Sequence, residues 1–197
     1  MKPFFVLFCF TALMLSCDSK RRETTVIEPI KDSVTSTHPL NLKKTDIDTI
    51  HNYWQLDVDT ITERKEFSFL DENYILTLKT YSLNDSSVIR RLGRNDSPVY
   101  MEYAHNVITD IELASDTLIN RKRIDKAHFK DFVDPEFYRI CTLFSTEIDS
   151  INKKTVYMSS QLTVPDTGNH WEISYLFYIR DYKVGTFEIK NTEYIGL

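Results

Sequence analysis

Between residues 140 and 190 apolar side chains recur at every second position. Ile140, Thr142, Phe144, Thr146 and Ile148 form one such row, and Val156, Met158, Leu162 and Val164 a second. Trp171, Ile173, Tyr175, Phe177 and Ile179 form a third. Successive side chains of a strand point to opposite faces, so this period marks strands half buried against a core. The joins are short and polar: Asp149 to Lys154, then Pro165-Asp166-Thr167-Gly168-Asn169, then Arg180-Asp181-Tyr182-Lys183. With Val184 to Lys190 as the closing strand, the last third reads as an antiparallel meander.

The same spacing occurs upstream. Trp54, Leu56 and Val58 share one predicted strand face, with Gln55, Asp57 and Asp59 opposite. Tyr74, Leu76 and Leu78 repeat it, as do Val107, Thr109, Ile111 and Leu113 against Asp110 and Glu112. One short helix interrupts the strands. Asp125 is its N-cap, and Phe129, Phe132 and Val133 fall at i, i+3 and i+4 as one apolar stripe. Asp134-Pro135 ends it, because the residue before proline is pushed out of helical geometry. The expected fold is mainly β with a minor α+β character. A single antiparallel meander curls into a sandwich or open barrel, and the helix near 126–133 covers one end.

The N-terminus carries an address. After Met1-Lys2, residues 4–15 form an almost unbroken apolar run of 12. A membrane-spanning helix needs roughly 20 such residues, so this run fits a secretory signal instead. Leu13-Met14-Leu15-Ser16-Cys17 follows. A small residue directly before a cysteine, after a leucine-rich run, looks like a lipobox, here with Met14 where leucine is commonest. Ser16 leaves room for the signal peptidase at the Ser16–Cys17 bond, and the Cys17 thiol is the atom that receives the diacylglyceryl group. Each buried CH₂ of such a chain contributes roughly 0.8 kcal/mol to membrane attachment. The expectation is a signal peptide over 1–16, a lipidated N-terminus and flexible tether over 17–50, and one β-rich domain over 51–197. The tether reading rests on Lys20-Arg21-Arg22 and on scattered Ser, Thr and Pro without apolar period. Asp18-Ser19 after the cysteine lacks the acidic run associated with surface display. With the lipobox, the expectation is a lipid-anchored protein of the cell envelope, on the outer membrane or the periplasmic face, and the missing acidic run favours the periplasm-facing side.

Composition excludes several functions. The formal net charge is −5, and Lys2 is the one charged residue among 1–16, so the processed chain is at −6. A nucleic-acid partner wants a basic surface, so none is expected. Gly occurs 4 times, too rarely for a Gly-rich phosphate cradle. Of three cysteines, Cys9 leaves with the signal and Cys17 is consumed by lipid, which leaves Cys141 as a small buried hydrophobe.

Asn106-Val107-Ile108-Thr109-Asp110-Ile111, then Lys126-Ala127-His128-Phe129-Lys130-Asp131-Phe132-Val133-Asp134, then a strand into Val164-Pro165 together resemble domain-of-unknown-function family 4738. Its members are lipoproteins of Gram-negative gut-dwelling bacteria. The resemblance spans roughly residues 70–190. The chain departs from the family at Pro135-Glu136 and in its scarcity of glycine. The resemblance implies an envelope lipoprotein and brings no activity and no functional residue.

No residue cluster demands a cofactor or a metal. His38, His51, His105, His128 and His170 share no ligand spacing. Asp46 with Asp48, and Asp57 with Asp59, pair carboxylates on one strand face, which could hold calcium but lacks the EF-hand pattern. There is no Gly-x-Ser-x-Gly elbow, and of Ser159-Ser160 the second faces the apolar side. Trp171, Tyr175 and Phe177 share one face, read as core, while Tyr157 and Tyr178 lie on neighbouring strands. The expected function is a non-catalytic binding or assembly module. It is held to a lipid membrane through Cys17 and meets a protein, peptide or glycan. The alternative is an envelope hydrolase with a dispersed acidic site. Radiolabelled palmitate is expected to enter the wild type and not Cys17→Ala; labelling of neither protein would defeat the anchor.

Overall fold

A computed structural model describes residues 48–93 and 98–196. They belong to one compact unit, Lys44–Leu197. Ser16, Cys17, the apolar run before them, His38 and Asp46 lie outside the described residues.

Three sheets make up the fold. The first is antiparallel, with β2 (Thr60–Phe69), β3 (Glu72–Ser82), β6 (Val107–Ser115) and β7 (Ile119–Ile124) in the order β2-β3-β6-β7. The second holds the meander of β8 (Thr142–Asn152), β9 (Thr155–Thr163), β10 (His170–Arg180) and β12 (Glu188–Ile195). Its short β11 (Lys183–Val184) pairs with the end of β10. The third is small: β1 (Thr49–Tyr53), β5 (Val99–Ala104) and β4 (Val88–Leu92), with β1 parallel to β5. The mainly β, antiparallel expectation therefore holds.

Period two explains the core. Tyr74, Leu76 and Leu78 of β3, Ile111 and Leu113 of β6, Val156, Met158 and Leu162 of β9, and Ile173, Tyr175 and Phe177 of β10 are all at most 1% exposed. They form one continuous cluster between the two larger sheets. Cys141 is fully buried, and burial pushes its thiol up to about 11.

Four local expectations are corrected. Residues 54–59 form no strand, and Leu56 and Val58 are 70% and 86% exposed. Among the described residues no strand pairs with this stretch. It is pinned by Trp54 N–H on Tyr103 O and by Asn84, whose amide donates to Asp57 O while its carbonyl accepts from Asp57 N–H. Phe144 is not a core residue either, being 60% exposed. A β-bulge between Leu143 and Ser145 inserts one residue and inverts the parity, so Leu143, Thr146 and Ile148 face inward. Ile140 ends a helix rather than opening a strand. The predicted helix is a 3-10 helix, Lys126–Phe132, capped by Asp125 and His128. Phe129 is buried under it and Phe132 is exposed. Asp134 then caps a second helix, α1 (Pro135–Ile140), accepting from Glu136 N–H and Phe137 N–H at 2.9 Å each. Proline fits the first turn of that helix because its missing N–H is not needed there.

The two large sheets meet edge to edge at seams closed by side chains. At one seam Ile148 of β8 donates its N–H to the Glu63 carboxylate of β2 at 3.0 Å. At the other, Val184 N–H donates to Asn120 Oδ1 of β7 at 2.9 Å, and Lys122 Nζ donates to Gly185 O. One end of the structure is tied by Glu72. It accepts from the hydroxyls of Tyr74 and Tyr182 and from Lys154 Nζ at 3.0 Å. This joins the start of β3, the β8–β9 turn and the β10–β11 turn. Asp181 and Tyr182 both have positive φ, at 50° and 60°, the backbone of a tight hairpin turn that usually calls for Asn-Gly. The Glu72 contact holds a tyrosine there.

The bonds from Tyr182, Tyr74 and Lys154 hold the Glu72 carboxyl at about 2, below its ordinary 4.5. A depressed folded-state pKa adds stability that is complete above the unfolded value and disappears as pH falls from 4.5 towards 2. Thermal melts should therefore lose stability across that window in the wild type, and Glu72→Gln should show a flatter dependence. Parallel curves for the two proteins would refute this role.

Candidate ligand-binding cleft

The end opposite Glu72 is open. There the last residues of β3 (Thr80, Tyr81, Ser82), the first half of β8, the β9–β10 turn and the 54–59 segment surround a cleft of about 970 Å³. This lies at the upper end of the range typical of ligand pockets, roughly 300–1,000 Å³.

The walls are apolar. Trp54 comes from the pinned segment, Ile61 from β2 and Phe144 from the bulge in β8; all three are more than a third exposed. The bulge is what turns Phe144 from the core towards this surface. Leu143, Val107, Ala104 and Pro165 continue the lining.

The polar groups divide into two sets. Deeper in, hydroxyls are satisfied among themselves. Thr80 and Thr109 share a hydrogen bond of 2.8 Å. Thr146 meets Ser160 at 3.0 Å, and Ser160 meets the Tyr175 hydroxyl at 2.9 Å. Ser160 is thus a structural hydroxyl, and burial raises the Tyr175 phenol well above its ordinary pKa. The second set is the four carboxylates in the lining, Asp57, Asp59, Glu147 and Asp166, among which there is no Lys or Arg. Asp57 Oδ1 accepts Asp59 N–H at 2.9 Å, so these two act as a local turn and not as a strand-face pair. A low-dielectric wall beside like charges focuses a negative field.

His105 also lines the cleft and is 7% exposed. Its Nδ1 accepts Ser86 N–H at 2.9 Å, which places the proton of the neutral ring on Nε2. That Nε2 is buried and has no hydrogen-bond partner among the described residues. Asp85 holds the loop in place. Burial pushes its carboxyl up, but bonds from Asn106 N–H, the Ser87 hydroxyl, the Asn106 amide and Ser87 N–H outweigh it, and the net value is about 2.

The remaining sequence candidates scatter. His51 bonds Tyr103, His128 belongs to the helix cap, and His170 sits by Gly168 O. Among the described residues no three His, Cys, Asp or Glu side chains group as metal ligands would. Tyr175 and Phe177 are core, and Trp171 packs against Phe137 and Tyr194. No helix of the described residues is long and apolar enough to cross a membrane. Sequence reasoning had Asp57 and Asp59 but missed His105, Glu147 and Asp166 as their neighbours. No protein-family profile matches the chain, and no curated protein shows significant similarity to it.

The floor of the cleft offers a stability test. Thr80→Val strips the partner from the buried Thr109 hydroxyl and should cost about 1–3 kcal/mol in urea unfolding. Thr80→Val with Thr109→Val replaces both partners by groups of the same shape and should recover most of that loss. A double variant as unstable as the sum of the singles would show that the two hydroxyls do not act as a pair.

Proposed function

We propose that the chain is a membrane-anchored lipoprotein of the cell envelope whose β-rich body is a non-catalytic binding module, with the end cleft as its binding site. The lipobox residues Ser16 and Cys17 support the anchor. The observation that supports binding is the cleft itself, with Trp54, Ile61 and Phe144 exposed on its walls. Large exposed apolar groups gathered at one concavity mark an interaction site. Several of the polar groups beside them are already committed to local bonds. Thr80, Thr146 and Asp57 each hold a neighbour in place. Among the described lining residues no nucleophile is hydrogen-bonded to a base, as covalent catalysis would require. The negative lining repels phosphate chains and supports a partner other than nucleic acid.

One observation favours the second reading, an envelope hydrolase. Four carboxylates and His105, whose Nε2 has no hydrogen-bond partner among the described residues, border the same cleft. Small products released from envelope extracts by the wild type, and lost in Glu147→Gln or Asp57→Asn, would decide for it.

The binding reading is tested with Nile red, a neutral apolar dye, on the purified full chain in detergent-free nanodiscs, with empty nanodiscs as the blank. Saturable fluorescence above the blank is expected. Phe144→Asp and Ile61→Asp, both at exposed positions, should abolish it while circular dichroism shows the fold retained. Equal dye binding by the two variants would place the apolar site elsewhere and overturn the assignment.

A further inference from the structure

The cleft runs along the free edge of β8. That strand pairs with β9 on one side only, and among the described residues no strand pairs with its other edge. The direction of its backbone groups follows from one bond. Ile148 N–H leaves the sheet to reach the Glu63 carboxylate across the seam. In an antiparallel ladder, a residue's N–H and C=O point to the same side, and residues two apart share that side. Thr146, Glu147 and Ile148 stand in unbroken register with Ser160, Ser159 and Met158. Thr146 therefore also turns its N–H and C=O to the free edge, and Thr146 lines the cleft. Just before it the bulge at Leu143–Ser145 sets Phe144 outward.

Resting on the reading of the cleft as a binding site, we propose that its ligand is an extended, basic and apolar peptide segment that adds as a strand to β8. Three features of the cleft select that chemistry. An unpaired edge takes main-chain hydrogen bonds, and these need a peptide backbone rather than a small molecule. Phe144 and Ile61 flank that edge and accept every second side chain. The carboxylates of Glu147, Asp166, Asp57 and Asp59, with no cation among the lining residues, take lysine or arginine from the alternate positions. A bulge followed by a short open edge also limits the addition to a few residues, which guards the strand against edge-to-edge aggregation.

The test uses the full chain in nanodiscs and a fluorescein-labelled octapeptide of alternating lysine and valine, read by anisotropy. Two further octapeptides carry N-methyl groups on alternate amides, in the two possible frames. A fourth replaces every lysine by glutamate. Binding by the parent peptide is expected to weaken at least tenfold in one N-methyl frame and less than threefold in the other, since a peptide at a sheet edge uses one edge of its own. The glutamate peptide should not bind. Glu147→Gln combined with Asp166→Asn should weaken the parent peptide at least fivefold at low salt and by less as salt is raised. Equal effects of the two N-methyl frames, binding by the glutamate peptide, or no binding of the parent peptide each overturn the inference. If Nile red still occupies the cleft in those cases, only the strand addition has failed. If the dye does not bind there, the underlying site has failed as well.

Discussion

An antiparallel sheet leaves a row of backbone N–H and C=O groups unpaired along each outer strand, and here two such sheets share one core. The cost of an unmet backbone group in a dry seam is comparable to that of a lost hydrogen bond. Side chains supply the missing partners. Glu63 reaches across to Ile148 N–H, and Asn120 and Lys122 reach Val184 N–H and Gly185 O. These contacts let the sheets close around the core without a continuous ladder. They also leave the backbone edge in the first half of β8 without a paired strand among the described residues: Glu63 satisfies one amide, and β6 reaches only the Thr142 hydroxyl, through Val107 N–H.

The two ends of the structure differ for the same reason. At one end Glu72 gathers Tyr74, Tyr182 and Lys154, and the aromatic rings of Phe69, Tyr74 and Tyr182 surround the lysine. Opposite charges and hydroxyls satisfy one another there. At the other end the charges are all of one sign and the apolar groups lie exposed. The exposed apolar groups and unopposed carboxylates at the second end are the basis of the binding site proposed there. The membrane anchor proposed at Cys17 fits a module that meets its partner at a surface, though the argument for the cleft stands independently of it.

Much of the sheet structure was legible in the sequence. Tyr74-Leu76-Leu78 and Ile111-Leu113 alternate without interruption, Val156-Met158-Leu162 with Ser160 in the same row, and all are buried as the period requires. Where it failed, the cause was local. One added residue between Leu143 and Ser145 carried Phe144 from the expected core to the surface. The alternation of Trp54, Leu56 and Val58 had the right period but no strand to pair with. Asn84, distant in sequence, holds that stretch in a non-strand path. Scarce glycine hid turns: seven described residues other than glycine, among them Leu70, Lys153 and Tyr182, take positive φ. The site was less legible. Asp57 and Asp59 stood out as a pair, but His105, Glu147 and Asp166 come from three other segments, and only the closure of the two sheets brings them to one cleft.

The central claim is that the free edge of β8 is available to a partner strand. Residue-resolved amide hydrogen exchange tests it in a single experiment, by comparing Thr146 with Ile148 in the chain alone and with the lysine–valine peptide. Without peptide, Ile148 should exchange slowly behind Glu63 and Thr146 rapidly; with peptide, Thr146 should become protected while Ile148 changes little. Strong protection of Thr146 before any peptide is added, or no change on adding it, would contradict the account.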